Sequence, residues 1–299
     1  MGKGSLIEWT TIVQPDGTRI PGGTQNFWIG CRKVSPACTN CYAGTLVENR
    51  MGKPFYPAQA QLGRVAVDAD SPVWRTKTWG EPLKWQKEAA ALGETRRVFT
   101  CSLSDFFLDH PSVHEWRREA WRIIRDTPNL LWLVLSKRWD LGEAYIRGCL
   151  PDDWGDGYPN VMLGATVENQ ETTSRLEVAC RIPSQRGIFA SCEPLLGAID
   201  LRPYFGARWR SPVRWVIGGG ESGSKSRPMA PAWALDLRDQ AMNAGVDYHF
   251  KQWGEHTPYA SPGRCAAAVM VPGPTWMYRV GKKAAGRLLD GRNWDGGPV

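Results

Sequence analysis

The densest chemistry in the chain lies in FWIGCRKVSPACTNCYAG, where Cys31, Cys38 and Cys41 follow a C-x6-C-x2-C spacing with Tyr42 directly after the last thiol. Thiolates are soft ligands, suited to iron–sulfur clusters and to zinc, and three of them this close in sequence can converge on one inorganic centre. No histidine lies near them. A structural zinc site takes four protein ligands, whereas a cluster held by three cysteines keeps one iron open to a substrate or cofactor. The other five cysteines, at 101, 149, 180, 192 and 265, are scattered. In a reducing compartment eight cysteines read as ligands or small buried side chains before they read as a disulfide framework.

A second series of polar residues follows apolar runs of strand length. Ser102, Ser104 and Asp105 come after RRVFTCS (96–102), and Ser136, Lys137 and Arg138 end and follow LLWLVLS (130–136). Thr166, Glu168 and Asn169 close NVMLGAT (160–166), and Ser191 and Glu193 close RGIFASC (186–192). Gly218, Gly219, Gly220, Glu221 and Ser222 close VRWVIGG (213–219), and Lys251 and Gln252 close VDYHFKQ (246–252). In a parallel βα barrel all these ends meet on one face, where catalytic groups are found; the plain alternative is strands that simply exit into water. The glycine run can bring backbone N–H groups close to a carboxylate or phosphate, or it is a turn. It lacks the G-x-G-x-x-G spacing of a dinucleotide site.

The elements that must carry these residues are legible. The apolar runs are nearly continuous instead of alternating, as strands covered on both faces require, and amphipathic stretches separate most of them. VHEWRREAWRIIRD predicts a helix burying Val113, Trp116, Ala120 and Ile124, with Arg117, Arg118 and Arg122 on other faces. PAWALDLRDQAMNAG predicts another, with Pro231 in its first turn, Trp233, Leu237, Ala241 and Ala244 on one side, and Gly245 as its stop. The fold expected is α/β, a partial or full parallel (βα) barrel of six to seven strands. There is no internal repeat or composition break, so one domain over 1–299 is expected, with the cysteine loop at 28–44, a decorated C-terminal segment at 253–299, and loops near 15–24, 151–159 and 261–274.

Composition sets the outer bounds. A hydrophobic content of 42% in 299 residues allows a real core. No run approaches the roughly 20 apolar residues of a membrane span, and the first residues carry no secretory signal, which places the chain in a cytoplasm and away from membranes. The formal charge of +7 hints at a polyanionic partner. Sixteen tryptophans either stack on bases or fill the core, with core filling favoured for most.

Three closely spaced cysteines ahead of a βα barrel resemble the radical S-adenosylmethionine superfamily. More narrowly, IEWT (7–10), GCRKVSPACTNCYA (30–43), SLSDFF (102–107), VLSKR (134–138), ASCEPLLGAIDL (190–201), IGGGESG (217–223), FKQWGE (250–255) and GKKAAGRLLDGRNWD (281–295) resemble a phage-associated three-cysteine-motif family over nearly the whole chain. The resemblance implies a [4Fe-4S] cluster whose unique iron binds the amino and carboxylate groups of S-adenosylmethionine. Reductive cleavage then gives methionine and a 5′-deoxyadenosyl radical that abstracts hydrogen from a substrate. It further implies an external electron donor, a possible phage-encoded partner protein and, for a phage protein, the host cytoplasm.

By the same resemblance the cofactor's amino group falls to Ser104 or Asp105, and its ribose to Ser136 or Glu168. Its adenine and carboxylate surroundings fall to Glu193 and Gly218, Gly219 and Gly220, with Glu221 beside them. Glu193 also reads as a helix-start carboxylate before Pro194. Lys137 and Arg138 suit an anionic substrate with a stackable base, or equally a basic helix start or salt-bridged pair. Cys192 reads as a hydrogen-atom donor to a product radical or as a small buried side chain. The sequence departs from the superfamily's common C-x3-C-x2-C spacing, in which an aromatic precedes the last cysteine; here Asn40 does. The function expected is radical modification or repair of a nucleotide or nucleic acid. A peptide or protein side chain as substrate, and a zinc-clipped nucleic-acid-binding protein without catalysis, stand as alternatives.

Overall fold

The computed structural model describes residues 4–5, 7–56, 72–259 and 267–299. Cys265 and the first part of the 261–274 stretch lie outside them.

Six of the apolar runs form strands close to their expected bounds. They are β2 (Arg96–Thr100), β3 (Leu130–Ser136), β4 (Val161–Thr166), β5 (Ile188–Cys192), β6 (Val213–Gly219) and β7 (Asp247–Gln252). A seventh, β1 (Gly23–Gln25), comes from a stretch that reads as loop. Its glycine-rich approach is a packing requirement, since a Cβ on Gly22 would stand 2.2 Å from the Thr10 carbonyl oxygen and 2.6 Å from that of Arg97. All seven strands are parallel and each lies beside its sequence neighbour, in the order β1-β2-β3-β4-β5-β6-β7.

The sheet curls into a half-barrel. β2 and β6 are four strand spacings apart, which in a flat sheet is about 19 Å at about 4.8 Å per spacing. Yet the Arg97 guanidinium lies 5.1 Å from the Trp215 ring centroid, and Trp9 packs against both Phe99 at 4.6 Å and Trp215 at 6.0 Å.

Alternate side chains explain the continuous apolar runs. Phe99, Leu131, Leu133, Met162, Phe189, Trp215 and Ile217 pack with Trp9 on the concave side. Val98, Trp132, Val134, Leu163, Ala190, Val216 and Phe250 join the larger core under the helices. Both sides are dry, so both sets must be apolar. Trp28, Trp132, Trp139, Trp215 and Trp253 are fully buried, as core filling predicts for most of the tryptophans.

The crossover helices include α1 (Tyr42–Met51), α2 (Glu81–Leu92), α3 (Pro111–Arg125), α4 (Glu143–Gly148), α5 (Ser174–Ala179) and α6 (Pro231–Asn243). In α3 the buried set is Val113, Arg117, Ala120, Trp121 and Ile124, so Arg117 is internal against expectation. Its Nε and Nη2 donate to the carbonyls of Phe106 and Leu108, at 2.7 Å each. In α6, Leu237 and Ala241 are buried as expected, joined by Ala234 and Gln240, while Ala244 is exposed at the C-terminal cap and Gly245 takes φ +65°. Beyond β7, part of the 261–274 stretch is strand rather than loop. β8 (His256–Thr257), β9 (Ala268–Val271) and β10 (Thr275–Arg279) form a small antiparallel sheet in the order β8-β10-β9, followed by α7 (Lys282–Ala285). Among the described residues no helix is long and apolar enough to cross a membrane.

Candidate cofactor site

The cysteine loop is tied down by groups at the C-terminal ends of four strands. After β2, the Ser104 hydroxyl donates to the Gly30 carbonyl at 2.7 Å, and the Tyr42 hydroxyl donates to the Ser102 carbonyl at 3.0 Å. After β3, Arg138 Nη2 donates to the Arg32 carbonyl at 2.7 Å and lies 3.6 Å from Cys31 Sγ. After β4, Glu168 Oε1 accepts from the Ser35 hydroxyl at 2.8 Å. After β6, Glu221 Oε2 accepts from Asn40 Nδ2 at 3.3 Å and from Arg227, whose guanidinium also reaches the Pro36 carbonyl at 3.2 Å. The strand ends therefore converge on the loop that carries the three thiols. Gly30 takes φ +112°, and a Cβ there would stand 2.2 Å from the Pro72 carbonyl oxygen, so the loop enters through a position reserved for glycine.

The thiols share one environment. Cys31 feels the charges of both Cys38 and Cys41, and the Tyr56 hydroxyl feels all three thiols. Burial pushes the Cys31 thiol up to about 12, opposed by the Arg138 guanidinium, so binding of a metal there must displace a proton. Among the described residues no three His, Cys, Asp or Glu side chains stand around a point that one metal ion would occupy, and none completes a zinc tetrahedron. A cubane cluster bonds each thiolate to a different iron, so its ligands stand farther apart than those of a single ion. Three neighbouring thiols without a fourth ligand fit that donor set.

Beside the loop lies a carboxylate with unused capacity. Glu168 is 1% exposed; its Oε1 accepts from Ser35 and from Arg175 Nη1 at 3.1 Å and lies 3.7 Å from Lys137 Nζ, but its Oε2 has no hydrogen-bond partner. A buried carboxylate oxygen left bare is costly, and a hydroxyl or ammonium donor from a ligand would satisfy it. Glu168, one of the two residues expected at the cofactor ribose, thus has a free acceptor beside the thiol loop.

Other residues take different places. Asp105 and Ser136 are brought together but spend their capacity on each other: Asp105 accepts from the Ser136 hydroxyl at 2.6 Å and from the backbone N–H groups of Lys137 and Phe107 at 2.8 and 3.0 Å. They brace the turn that aims Lys137 and Arg138. Arg138 Nη2 is turned to Cys31 and the Arg32 carbonyl, whereas Lys137 Nζ approaches Glu168. Glu221 is a tether paired with Arg227. Glu193 pairs with Lys251 Nζ at 2.7 Å instead of capping a helix. Of the three glycines only Gly219 faces Glu193, since a Cβ on it would stand 3.3 Å from the Glu193 Cγ; Gly218 faces Tyr248 and Gly220 lies against the Trp253 backbone. Cys192 shares its face with Ile188 and Ala190 in the helix-side core and is fully buried there. Burial raises its thiol and keeps it neutral. Ser35, Tyr56, Arg175 and Arg227 belong to the site's framework without any spacing in the sequence that marks them.

The family model for DUF5131, described as a protein of unknown function, matches residues 5–298. The chain belongs to the DUF5131 family. Among solved structures, this DUF5131 chain is similar to spore photoproduct lyase in a doubly substituted form with bound AdoMet and dinucleoside spore photoproduct. The TM-score is 0.41 and the identity 9%, over 94% of this chain and 74% of that one. A second structure, spore photoproduct lyase complexed with dinucleoside spore photoproduct, gives 0.40 and 9%, over 87% and 68%. A sequence search of curated proteins finds no significant match to this DUF5131 chain.

Proposed function

We propose that the chain is a radical S-adenosylmethionine enzyme that modifies or repairs a nucleotide or nucleic acid, with Cys31, Cys38 and Cys41 holding a [4Fe-4S] cluster. The observation that carries this reading is the three-thiol loop pinned over four strand ends beside a buried Glu168 whose Oε2 has no partner. Cys31, Cys38 and Cys41 would hold the cluster, which, with an external electron donor, would supply the one-electron reduction that cleaves S-adenosylmethionine to a 5′-deoxyadenosyl radical. The protein's part is placement. Glu168 accepts a ribose hydroxyl or the amino group; Asp105 and Ser136 hold the Lys137–Arg138 turn; Arg138 sets a cation against Cys31; and Lys137, with its Nζ near Glu168, is available to an anionic substrate group. The net charge of +7 supports a polyanionic substrate.

The test is anaerobic reconstitution with iron and sulfide, reduction in the presence of S-adenosylmethionine, and chromatography for 5′-deoxyadenosine, with Cys38→Ala alongside. Brown protein that forms deoxyadenosine only with Cys38 intact is the expected result. Colourless protein that binds zinc and forms none would overturn the reading.

A further inference from the structure

On the outer side of the half-barrel, away from the cysteine loop, α3 and the segment around α4 enclose a cleft of about 920 Å³ whose α3 wall is a row of cations. Arg118 and Arg122 stand one turn apart, about 6 Å along the helix axis, and Arg125 continues the row, while His114 one turn earlier is hydrogen-bonded to Asp109 at 2.9 Å. Arg118 and Arg122 are exposed, and neither has an ion-pair partner among the described residues. Arg117, at 3% exposure, forms part of the floor. Its donors go to the Phe106 and Leu108 carbonyls and to Cys149 Sγ at 2.9 Å, so no carboxylate neutralises its charge. Burial raises the Cys149 thiol, which stays protonated and supplies no counter-charge either. On the facing wall Asp153 is already satisfied by Arg125 at 3.1 Å and by the Tyr158 hydroxyl, leaving Asp152 against the exposed guanidiniums of Arg118 and Arg122.

A solvated helix face needs no cleft and no uncompensated buried arginine beneath it. An anion gains from both: a desolvated cation attracts charge more strongly than one in water, and planar guanidiniums one turn apart match a chain of phosphates better than a single ion. We propose that this cleft is a docking track for the phosphodiester backbone of a nucleic-acid strand, held by Arg118 and Arg122 above the buried charge of Arg117. It deepens the substrate half of the function proposed above and rests on its nucleic-acid assignment. The cleft and the site share the segment after Asp105: Arg117 and Tyr145, which line the cleft, donate to the carbonyls of Phe106, Leu108 and Phe107, and the Asp105 carboxylate fixes the Lys137–Arg138 turn.

The experiment is fluorescence anisotropy of a labelled oligonucleotide of about 12 nucleotides, within the span of known single-strand sites, titrated with the full chain. Binding is read between about 50 and 200 mM salt, where phosphate contacts show as a slope of about −0.7 each on a log–log plot for a single strand. Arg118→Glu with Arg122→Glu should weaken binding at least ten-fold, and Arg118→Gln with Arg122→Gln should make the salt slope shallower by about 1.4. Lys84→Glu with Lys87→Glu, on the exposed face of α2, makes the same charge change elsewhere and should leave binding within two-fold. Equal binding by the α3 variants and the wild type overturns the track, as does competition by pyrophosphate or polyglutamate as effective as by unlabelled oligonucleotide at matched charge. No cluster enters this assay. A chain that binds through α3 but forms no deoxyadenosine sinks the reading of the thiols and keeps the track, and the converse result sinks the track alone.

Discussion

Glu168 and Arg138 set the scale of single residues, because each is buried with one polar atom unpartnered beside the thiol loop. Glu168 is the stronger probe. Its neighbour Arg175 is 1% exposed and shares its charge between Glu168 and Asp140, at 3.1 Å each. Glu168→Gln keeps the shape but halves the compensation of a buried guanidinium, at a cost of about 1 to 3 kcal/mol in denaturant unfolding. It also replaces a charged acceptor with a neutral one, which should weaken S-adenosylmethionine binding to the reconstituted protein about ten-fold by equilibrium dialysis. Retained affinity would assign Glu168 to the framework alone. Arg138→Gln should lower the iron kept after anaerobic desalting about two-fold, with Arg138→Lys restoring it, since a cation against a thiolate stabilises the charged form. The thiols and the strand-end carboxylates were legible as residue types at suggestive positions. Their division into ligand-facing and bracing groups was not, because Asp105 and Glu168 look alike in sequence and differ only in how many donors the fold aims at each.

Strands carry the next scale, where a one-residue step changes the face. Alternation along β5 puts Phe189 and Ser191 on the concave side and Ala190 and Cys192 under the helices, which is why Cys192 could not be placed from its strand-end position alone. Continuous apolar runs mark a strand buried on both sides but conceal which side is which. The glycine-rich β1 was illegible for a different reason: its three residues contribute backbone pairing more than apolar surface. Gly164 shows what the concave face demands. A Cβ there would stand 2.3 Å from the Phe189 ring, which occupies the space left by the missing side chain. Gly164→Ala should therefore destabilise by about 2 kcal/mol through overpacking. Phe189→Leu removes the obstructing ring, so the double variant should recover part of that loss in a denaturant mutant cycle. Additive costs would mean that the two sites do not share the space.

At the scale of the whole molecule, an open half-barrel must cover its two edges and its lower end, and the segments at the two ends of the described chain supply that cover. Arg97 on β2 donates to the carbonyls of Trp9 at 3.0 Å and Pro298 at 2.8 Å, and the Trp215 indole donates to the Gly296 carbonyl at 2.9 Å. The segment before Gly296 runs antiparallel to the β7 edge through a bridge between His249 and Asp295. No periodicity announces such a closure, since it is made by backbone carbonyls on irregular segments. It carries a pH signature through His249, which is 1% exposed and accepts from Arg287 Nη2 at 3.5 Å. Burial first, then the charges of Arg287, Arg97 and Lys251, hold its imidazole well below its ordinary value near 6.5, with the Asp295 carboxylate engaged by Arg287. The folded protein keeps His249 neutral while the unfolded chain takes up a proton below about pH 6.5, so the unfolded state gains as pH falls. Stability should drop by up to about 1.4 kcal/mol per pH unit below that point, until the folded state also protonates. His249→Gln removes the titration and keeps a hydrogen-bonding side chain. Thermal melts from pH 7.5 to 5 should show the wild type losing more Tm than the variant, by about 2 to 4 °C for each kcal/mol of linkage. Parallel curves would mean that His249 titrates in the folded state as it does in the unfolded chain, and that the packing of the final segment against β7 opens far enough to admit water.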